Sequence, residues 1–108
     1  MSVLDNLQQM FERGQDNVLL RFSLGNEYFK AGDLVRAEEH LRAALQQDPQ
    51  YSAAWKILGK VLAGAGRPLE AVEVFERGIE VAEQRGDIQA AKEMGVFLKR
   101  TRKALDAS

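Results

Sequence analysis

Apolar residues return every three or four positions along most of this chain, as they do on the buried face of amphipathic helices. Short breaks that contain glycine, proline or aspartate interrupt the pattern. Examples are Gly32-Asp33, Asp48-Pro49 and Gly66-Arg67-Pro68. Glycine and proline in such breaks end one helix and begin the next. The pattern therefore predicts an all-α fold of about six helices.

Two segments of the chain repeat the same residue types at a fixed separation of 34 positions. Leu24-Gly25-x-x-Tyr28 returns as Leu58-Gly59-x-x-Leu62. The other matched pairs are Gly32 and Gly66, Ala37 and Ala71, Leu41 and Phe75, and Ala44 and Gly78. A period of this size is typical of stacked helical hairpins. One hairpin cannot bury both of its apolar faces, so the two units are predicted to stack.

A glycine lies in the middle of the first helix of each unit. Glycine in a helix costs about 1 kcal/mol relative to alanine, so its presence at two equivalent sites indicates a close helix crossing. We expect Gly25 to face Ala37 and Gly59 to face Ala71 across that crossing.

The repeated residues resemble the tetratricopeptide repeat family, whose pattern is W-x2-L-G-x2-Y…A…F…A…P. The second unit matches at Trp55, Leu58, Gly59, Ala71 and Phe75, and the first at Leu24, Gly25, Tyr28, Ala37, Ala44 and Pro49. Arg21 replaces the tryptophan of the first unit, and Glu83 replaces the proline of the second. The resemblance implies a right-handed superhelical stack of antiparallel helical hairpins that acts in protein binding.

The chain is predicted to form one domain over residues 1–108. Its parts are an N-terminal packing helix at 3–13, repeat 1 at 18–51, repeat 2 at 52–85 and a C-terminal capping helix at 87–105. The stripe of Val3, Leu4, Leu7, Met10 and Phe11 is expected to cover repeat 1, although a detachable or dimerising helix is an alternative. Ala91, Met94, Gly95 and Leu98 reproduce the first-helix spacing with an offset of 36, so the last helix resembles a third repeat that lacks its second helix.

Composition narrows the classes of function. The formal net charge of −1 exerts no general attraction on nucleic acid or membranes, and the absence of cysteine excludes disulfides and thiol chemistry. The first residues lack the features of a secretion signal, and no apolar run approaches the length of a membrane span. We expect a cytoplasmic protein.

Candidate chemistry is sparse. His40 is the single histidine and has no cysteine or second histidine with which to bind a metal, so we expect a solvated surface side chain. Glu38-Glu39 and the series Glu70, Glu73 and Glu76 have the spacing of solvent-facing helix positions. The sequence predicts no enzyme, no metal site and no cofactor.

The first helices of stacked hairpins line a concave face where partners bind. Carrying over the family's inner positions selects Phe22, Asn26 and Phe29 in the first unit, Lys56 and Lys60 in the second, and Lys92 and Lys99 in the last helix. An aromatic end followed by a basic row fits an acidic, partly apolar peptide or protein segment. The alternative is that Phe22 and Phe29 pack beneath the N-terminal helix while the lysines are merely solvated.

Two other functions stay open. Lys99-Arg100-x-Arg102-Lys103 could contact nucleic acid or an anionic surface, although such a cluster also suits the last turn of a solvated helix. A self-associating homodimer is the other alternative. Some family members clamp a partner's terminal carboxylate with lysine and asparagine. Asn26 matches that motif, but Phe22 and Ile57 stand where lysine and asparagine are expected.

Overall fold

The structure, a computed structural model, describes residues 2–107, and six α-helices make up most of that range. In chain order they are α1 (Val3–Glu12), α2 (Val18–Lys30), α3 (Leu34–Gln47), α4 (Ser52–Gly64), α5 (Pro68–Arg85) and α6 (Ile88–Asp106). The ends of the predicted range 1–108 lie outside the described residues. The predicted all-α stack is confirmed. None of the six helices has the length and apolar character needed to cross a membrane.

The helices form two layers. α2 and α3 pack as one hairpin, α4 and α5 pack as the next, and α6 packs on α5. In the first layer, α2 contacts α4 and α4 contacts α6, whereas no such direct contact joins α3 to α5 within residues 2–107. The layer of α2, α4 and α6 is therefore the tighter one. The stack curves toward it, and this layer forms the inner face.

Polar side chains and glycines fix the helix ends. Asn17 and Asp87 accept hydrogen bonds from the backbone N–H groups of Leu20 and Ala90, at 2.9 and 3.2 Å. Asn17 and Asp87 are thus the N-caps of α2 and α6. Gly86 ends α5 with a φ of 76°, a left-handed conformation that favours glycine.

The side chain of Ser52 does not cap α4. It is the first residue of the helix, and Tyr51 occupies the N-cap position without a side-chain hydrogen bond. The Ser52 hydroxyl instead donates a hydrogen bond of 2.8 Å to the Asp87 carboxylate, which lowers the pKa of Asp87. This bond joins the start of α4 to the start of α6.

The close crossings predicted at the two mid-helix glycines are present, but the nearest side chains there are larger than the expected alanines. A Cβ atom on Gly25 would lie 2.6 Å from Cγ of Leu41, and one on Gly59 would lie 2.3 Å from Cε1 of Phe75. Each glycine therefore receives a large apolar side chain from the second helix of its hairpin. The backbone oxygen of Ala37 would lie 3.3 Å from the same Cβ atom on Gly25, so Gly25 does lie next to Ala37 as predicted.

One continuous apolar core runs between the layers. Its largest fully buried side chains come from α2 to α6 and are Leu24, Leu41, Leu58, Val61, Leu62, Phe75 and Met94. Burial of these side chains supplies the main favourable term for folding. The last helix therefore belongs to the same core as the two complete hairpins.

The helix α1 lies on α2 at one end of the stack. Leu4, Leu7 and Phe11 pack against the core but are only partly buried. Val3 and Met10, which complete the predicted stripe, are 60% and 39% exposed. Three of the five stripe residues thus make the packing contact.

The prediction that His40 is a solvated surface residue was wrong. Only 6% of its surface is exposed. Its ring stacks on Tyr28 with 5.6 Å between centroids, and the ring of Phe11 meets it edge-on at 5.3 Å. The His40 Nδ1 atom lies 3.1 Å from a guanidinium nitrogen of Arg21. The reason is that α1, which lies outside the repeat pattern, covers this part of α3 together with Tyr28 of α2.

His40 predicts a decline of stability in mildly acidic solution. Burial lowers the pKa of His40 from its ordinary value of 6.5, and the positive charge of Arg21 lowers it further, against weaker opposite effects of Glu39 and Asp16. Between pH 6.5 and the lower pKa of the folded state, the unfolded chain binds a proton that the folded chain does not. The free energy of unfolding therefore falls as the pH drops through this interval.

Urea denaturation at a series of pH values would measure this decline, with His40→Gln as the control that removes it. Carboxylates such as Asp16, whose pKa is lowered from 3.8 by hydrogen bonds from Arg21 and Gln47, affect stability only at more acidic pH. A wild-type curve that stays flat from pH 7 to pH 5 would contradict the prediction.

Candidate functional site

A hollow of about 330 Å³ opens on the inner face, where α2, α4 and α6 lie side by side. We call it the Phe29–Phe97 pocket. The lining residues are Phe29, Lys60, Ala63, Gly64, Phe75, Phe97, Arg100 and Thr101. All but Phe75, which comes from α5, belong to the three inner helices.

Aromatic rings form the floor and two walls of the pocket. Phe75 is only 1% exposed, and Phe97 stacks on it with 6.0 Å between ring centroids. Phe29 and Phe97 are partly buried. Ala63 and Gly64 carry little or no side chain, so this stretch of α4 leaves the hollow open. The pocket therefore offers apolar contact area of the kind that anchors a bulky side chain.

Two cations lie over these rings. The Lys60 Nζ atom is 4.9 Å from the ring centroid of Phe97 and 5.5 Å from that of Phe29, and the Arg100 guanidinium carbon is 5.9 Å from the Phe97 centroid. Cation–π contacts of this kind are weak where solvent has access. Neither cation forms a salt bridge with a carboxylate in the described part of the chain. Both can therefore pair with a carboxylate of a ligand.

The structure brings together two of the seven residues predicted to bind a partner, Phe29 and Lys60. Phe22 packs on Tyr51 with 5.2 Å between ring centroids, and Asn26 is half-buried on the same helix. The Lys56 ammonium forms a salt bridge of 3.1 Å with Glu93, so it is not a free member of a basic row.

The remaining two predicted residues, Lys92 and Lys99, are exposed on α6 and do not line the Phe29–Phe97 pocket. Lys99 borders a different hollow, together with Gly95 and Leu98. Lys56 and Lys60 meet Glu93 and Phe97, which lie one position beyond Lys92 and Val96, the inner positions that the family's spacing selects.

Sequence reasoning selected neither Phe97 nor Arg100 for the concave face, and it named Arg100 as part of the basic cluster. A signal for Phe97 was present, since it is the single aromatic residue of α6 and occurs between Val96 and Leu98 among many charged positions. A large apolar residue next to an expected inner position is a natural candidate for a binding contact.

The basic cluster near the end of α6 does not form one patch. Arg100 joins the Phe29–Phe97 pocket, whereas Arg102 forms a salt bridge of 2.7 Å with Glu76 of α5. Lys99 and Lys103 border the other hollow. The four cations thus serve at least two surfaces, which weakens the case for one nucleic-acid contact.

A sequence model described as tetratricopeptide repeat matches residues 28–94, which is more than half of the chain. The chain belongs to the tetratricopeptide repeat family. Domains of this family are generally protein-interaction modules and not enzymes, and they bind proteins or peptides. The matched range contains the Phe29 and Lys60 side of the pocket, while Phe97 and Arg100 lie just beyond it.

Similar proteins are found in bacteria. The TPR repeat-containing protein PA0015 of Pseudomonas aeruginosa is 47% identical over 102 residues, covering 94% of this chain and 97% of that protein. The solution structure of protein BPP2914 from Bordetella parapertussis is 44% identical with a TM-score of 0.86, covering 96% of this chain and 90% of that one.

A fungal relative has the same fold at lower sequence similarity. The Sgt2 TPR domain from Aspergillus fumigatus is 26% identical with a TM-score of 0.82, and the alignment covers 95% of this chain and 66% of that domain. The architecture of this tetratricopeptide repeat domain is therefore shared well beyond its near relatives.

Proposed function

We propose that this tetratricopeptide repeat domain binds an acidic, partly apolar segment of a partner protein in the Phe29–Phe97 pocket. The observation that carries the proposal is the position of Lys60 and Arg100. Both cations lie at the rings of an open apolar hollow and lack a carboxylate partner in residues 2–107. A ligand that inserts an apolar side chain and places a carboxylate beside it would complement both features.

The two kinds of contact have different roles. Exposed ion pairs contribute only about 0–1 kcal/mol each, so Lys60 and Arg100 mainly speed association and set the register of the segment. Aromatic side chains at the centre of an interface contribute most of the binding energy. Phe29 and Phe97 are therefore the anchors, and binding weakens with added salt without disappearing.

A peptide-display selection followed by fluorescence anisotropy on the selected peptides tests the proposal. We expect enrichment of acidic peptides that contain an aromatic or long aliphatic residue. The double variant Lys60→Glu with Arg100→Glu should lower affinity about tenfold, which corresponds to roughly 1.4 kcal/mol. Phe29→Ala should mainly accelerate dissociation, because the anchor is lost.

Two matched charge reversals serve as controls. Arg77→Glu changes an exposed cation of α5, outside the pocket, and should leave affinity unchanged. Lys99→Glu with Lys103→Glu tests the nucleic-acid or anionic-surface alternative. If that variant loses binding while the Lys60 and Arg100 variant keeps it, the site is the end of α6 and the proposal is wrong. Light scattering at several concentrations tests the homodimer alternative.

We also propose that the protein is cytoplasmic, as expected from its sequence. Fractionation of cells that express a tagged protein would test this location.

A further inference from the structure

A second surface of the domain, on α6, resembles the places where the second helix of each hairpin docks. In both complete hairpins, an apolar side chain of the second helix packs directly against a glycine of the first helix. Leu41 of α3 covers Gly25 of α2, and Phe75 of α5 covers Gly59 of α4, each so closely that a Cβ atom would collide. The glycine is the point at which the second helix docks.

Gly95 occupies the equivalent position in α6, and nothing covers it. A Cβ atom built on Gly95 has no neighbouring heavy atom within 4 Å. Ile88, Ala91 and Leu98 share its side of the helix, since they lie three, four or seven positions away. Ile88 is 56% exposed, whereas Leu98 is nearly buried. This side of α6 is the Gly95 face.

Positive charge borders the Gly95 face. Gly95 and Leu98 line a hollow of about 480 Å³ together with Lys99, Arg102, Lys103 and Asp106. Arg102 pairs with Glu76 of α5, but neither Lys99 nor Lys103 has a salt-bridge partner in the described residues. A second copy of α6 would bring the same cations into opposition, so pairing between copies is disfavoured. An acidic helix is favoured instead.

We propose that the Gly95 face docks an amphipathic helix of a partner protein, with a leucine or phenylalanine seated over Gly95 and acidic residues opposite Lys99 and Lys103. The partner helix completes the third repeat in the way that α3 and α5 complete the first two. The surface lies apart from the Phe29–Phe97 pocket, so the two sites can be occupied independently.

The protein itself supplies a probe. The α5 segment, Pro68–Arg85, carries Phe75, the side chain that covers Gly59. Its acidic residues outnumber its basic ones and are Glu70, Glu73, Glu76, Glu80 and Glu83, against Arg77 and Arg85. A short helix is only marginally stable alone in water, so the synthetic peptide is stapled across the solvent-facing positions Glu73 and Arg77.

Fluorescence anisotropy with this labelled peptide tests the proposal on the full chain. We expect saturable binding to the wild-type protein and at least a tenfold loss with Gly95→Leu, which fills the seat. A similar loss is expected for a peptide carrying Phe75→Ala, and a several-fold loss for the protein carrying Lys99→Glu with Lys103→Glu. The Lys60→Glu with Arg100→Glu variant should bind the peptide like wild type.

Three outcomes would overturn the proposal. These are no anisotropy change at millimolar peptide, equal affinity of wild type and Gly95→Leu, or loss of binding in the Lys60 and Arg100 variant alone. The last outcome would place the peptide in the Phe29–Phe97 pocket. Thermal melts of each variant verify that the protein is folded when it is measured.

Discussion

Replacing Gly59 with leucine should destabilise the domain by roughly 3–5 kcal/mol, at the upper end of overpacking effects. A Cβ atom alone would lie 2.3 Å from Phe75 Cε1, and Phe75 is only 1% exposed, with the ring of Phe97 stacked on it. The helices α4 and α5 must then separate, and core contacts on both sides are lost. In a domain of this size we expect the melting temperature to fall by more than about 15 °C.

Gly95→Leu is the matched control for this experiment. It makes the same substitution at the equivalent position of α6, where a Cβ atom meets no neighbour within 4 Å. Its free energy of unfolding should stay the same or rise by up to about 1 kcal/mol, because leucine favours helix more than glycine does. Equal effects of the two substitutions in thermal and urea denaturation would show that the Gly59 crossing is not the cause.

Removing α1 should lower the free energy of unfolding by about 2–4 kcal/mol. Leu4, Leu7 and Phe11 are partly buried against the core, and each contributes about 1 kcal/mol. The cut also exposes His40 and removes the ring over which the Arg21 guanidinium lies at 4.4 Å. The newly exposed apolar surface should promote aggregation. Urea denaturation and light scattering of a chain that begins at Asp16 measure both effects.

Single substitutions within α1 show whether the loss of stability comes from side-chain packing or only from the shorter chain. Val3→Ala changes a side chain that is 60% exposed and should be nearly neutral, whereas Phe11→Ala should reproduce a large part of the loss. Amide exchange in α1 as fast as in an unfolded peptide would contradict the packing that underlies this prediction.

Much of the fold could be predicted from the sequence because the same type of helical hairpin occurs twice. The 34-residue period placed both hairpins, and the glycines and aspartates at their ends predicted the turns. The pattern did not say which side chain meets each glycine. Ala37 and Leu41 lie four positions apart and therefore share one face of α3, so both were possible partners for Gly25. The angle at which α2 and α3 cross determines that the Leu41 side chain lies over Gly25.

The site was less predictable for a related reason. Lys60 of α4 was selected correctly, but Phe97 of α6 was missed because it lies one residue beyond Val96, the position that the family's spacing selects. The spacing of core residues defines where a helix is buried, whereas the rotation of α6 against α4 depends on packing with α5. His40 was misassigned because its cover comes from α1 and Tyr28, and α1 lies outside the repeated pattern.

The layered arrangement also determines how the chain reaches its folded state. Within the described residues, each helix packs only against its first or second neighbours in chain order. No native contact therefore joins helices from opposite ends of the chain. Loops that close over such short separations lose little entropy, and helical proteins with local contacts fold within microseconds to milliseconds. The α2–α3 hairpin can assemble on the ribosome before α6 has been synthesised, leaving few slow steps in which apolar segments stay exposed.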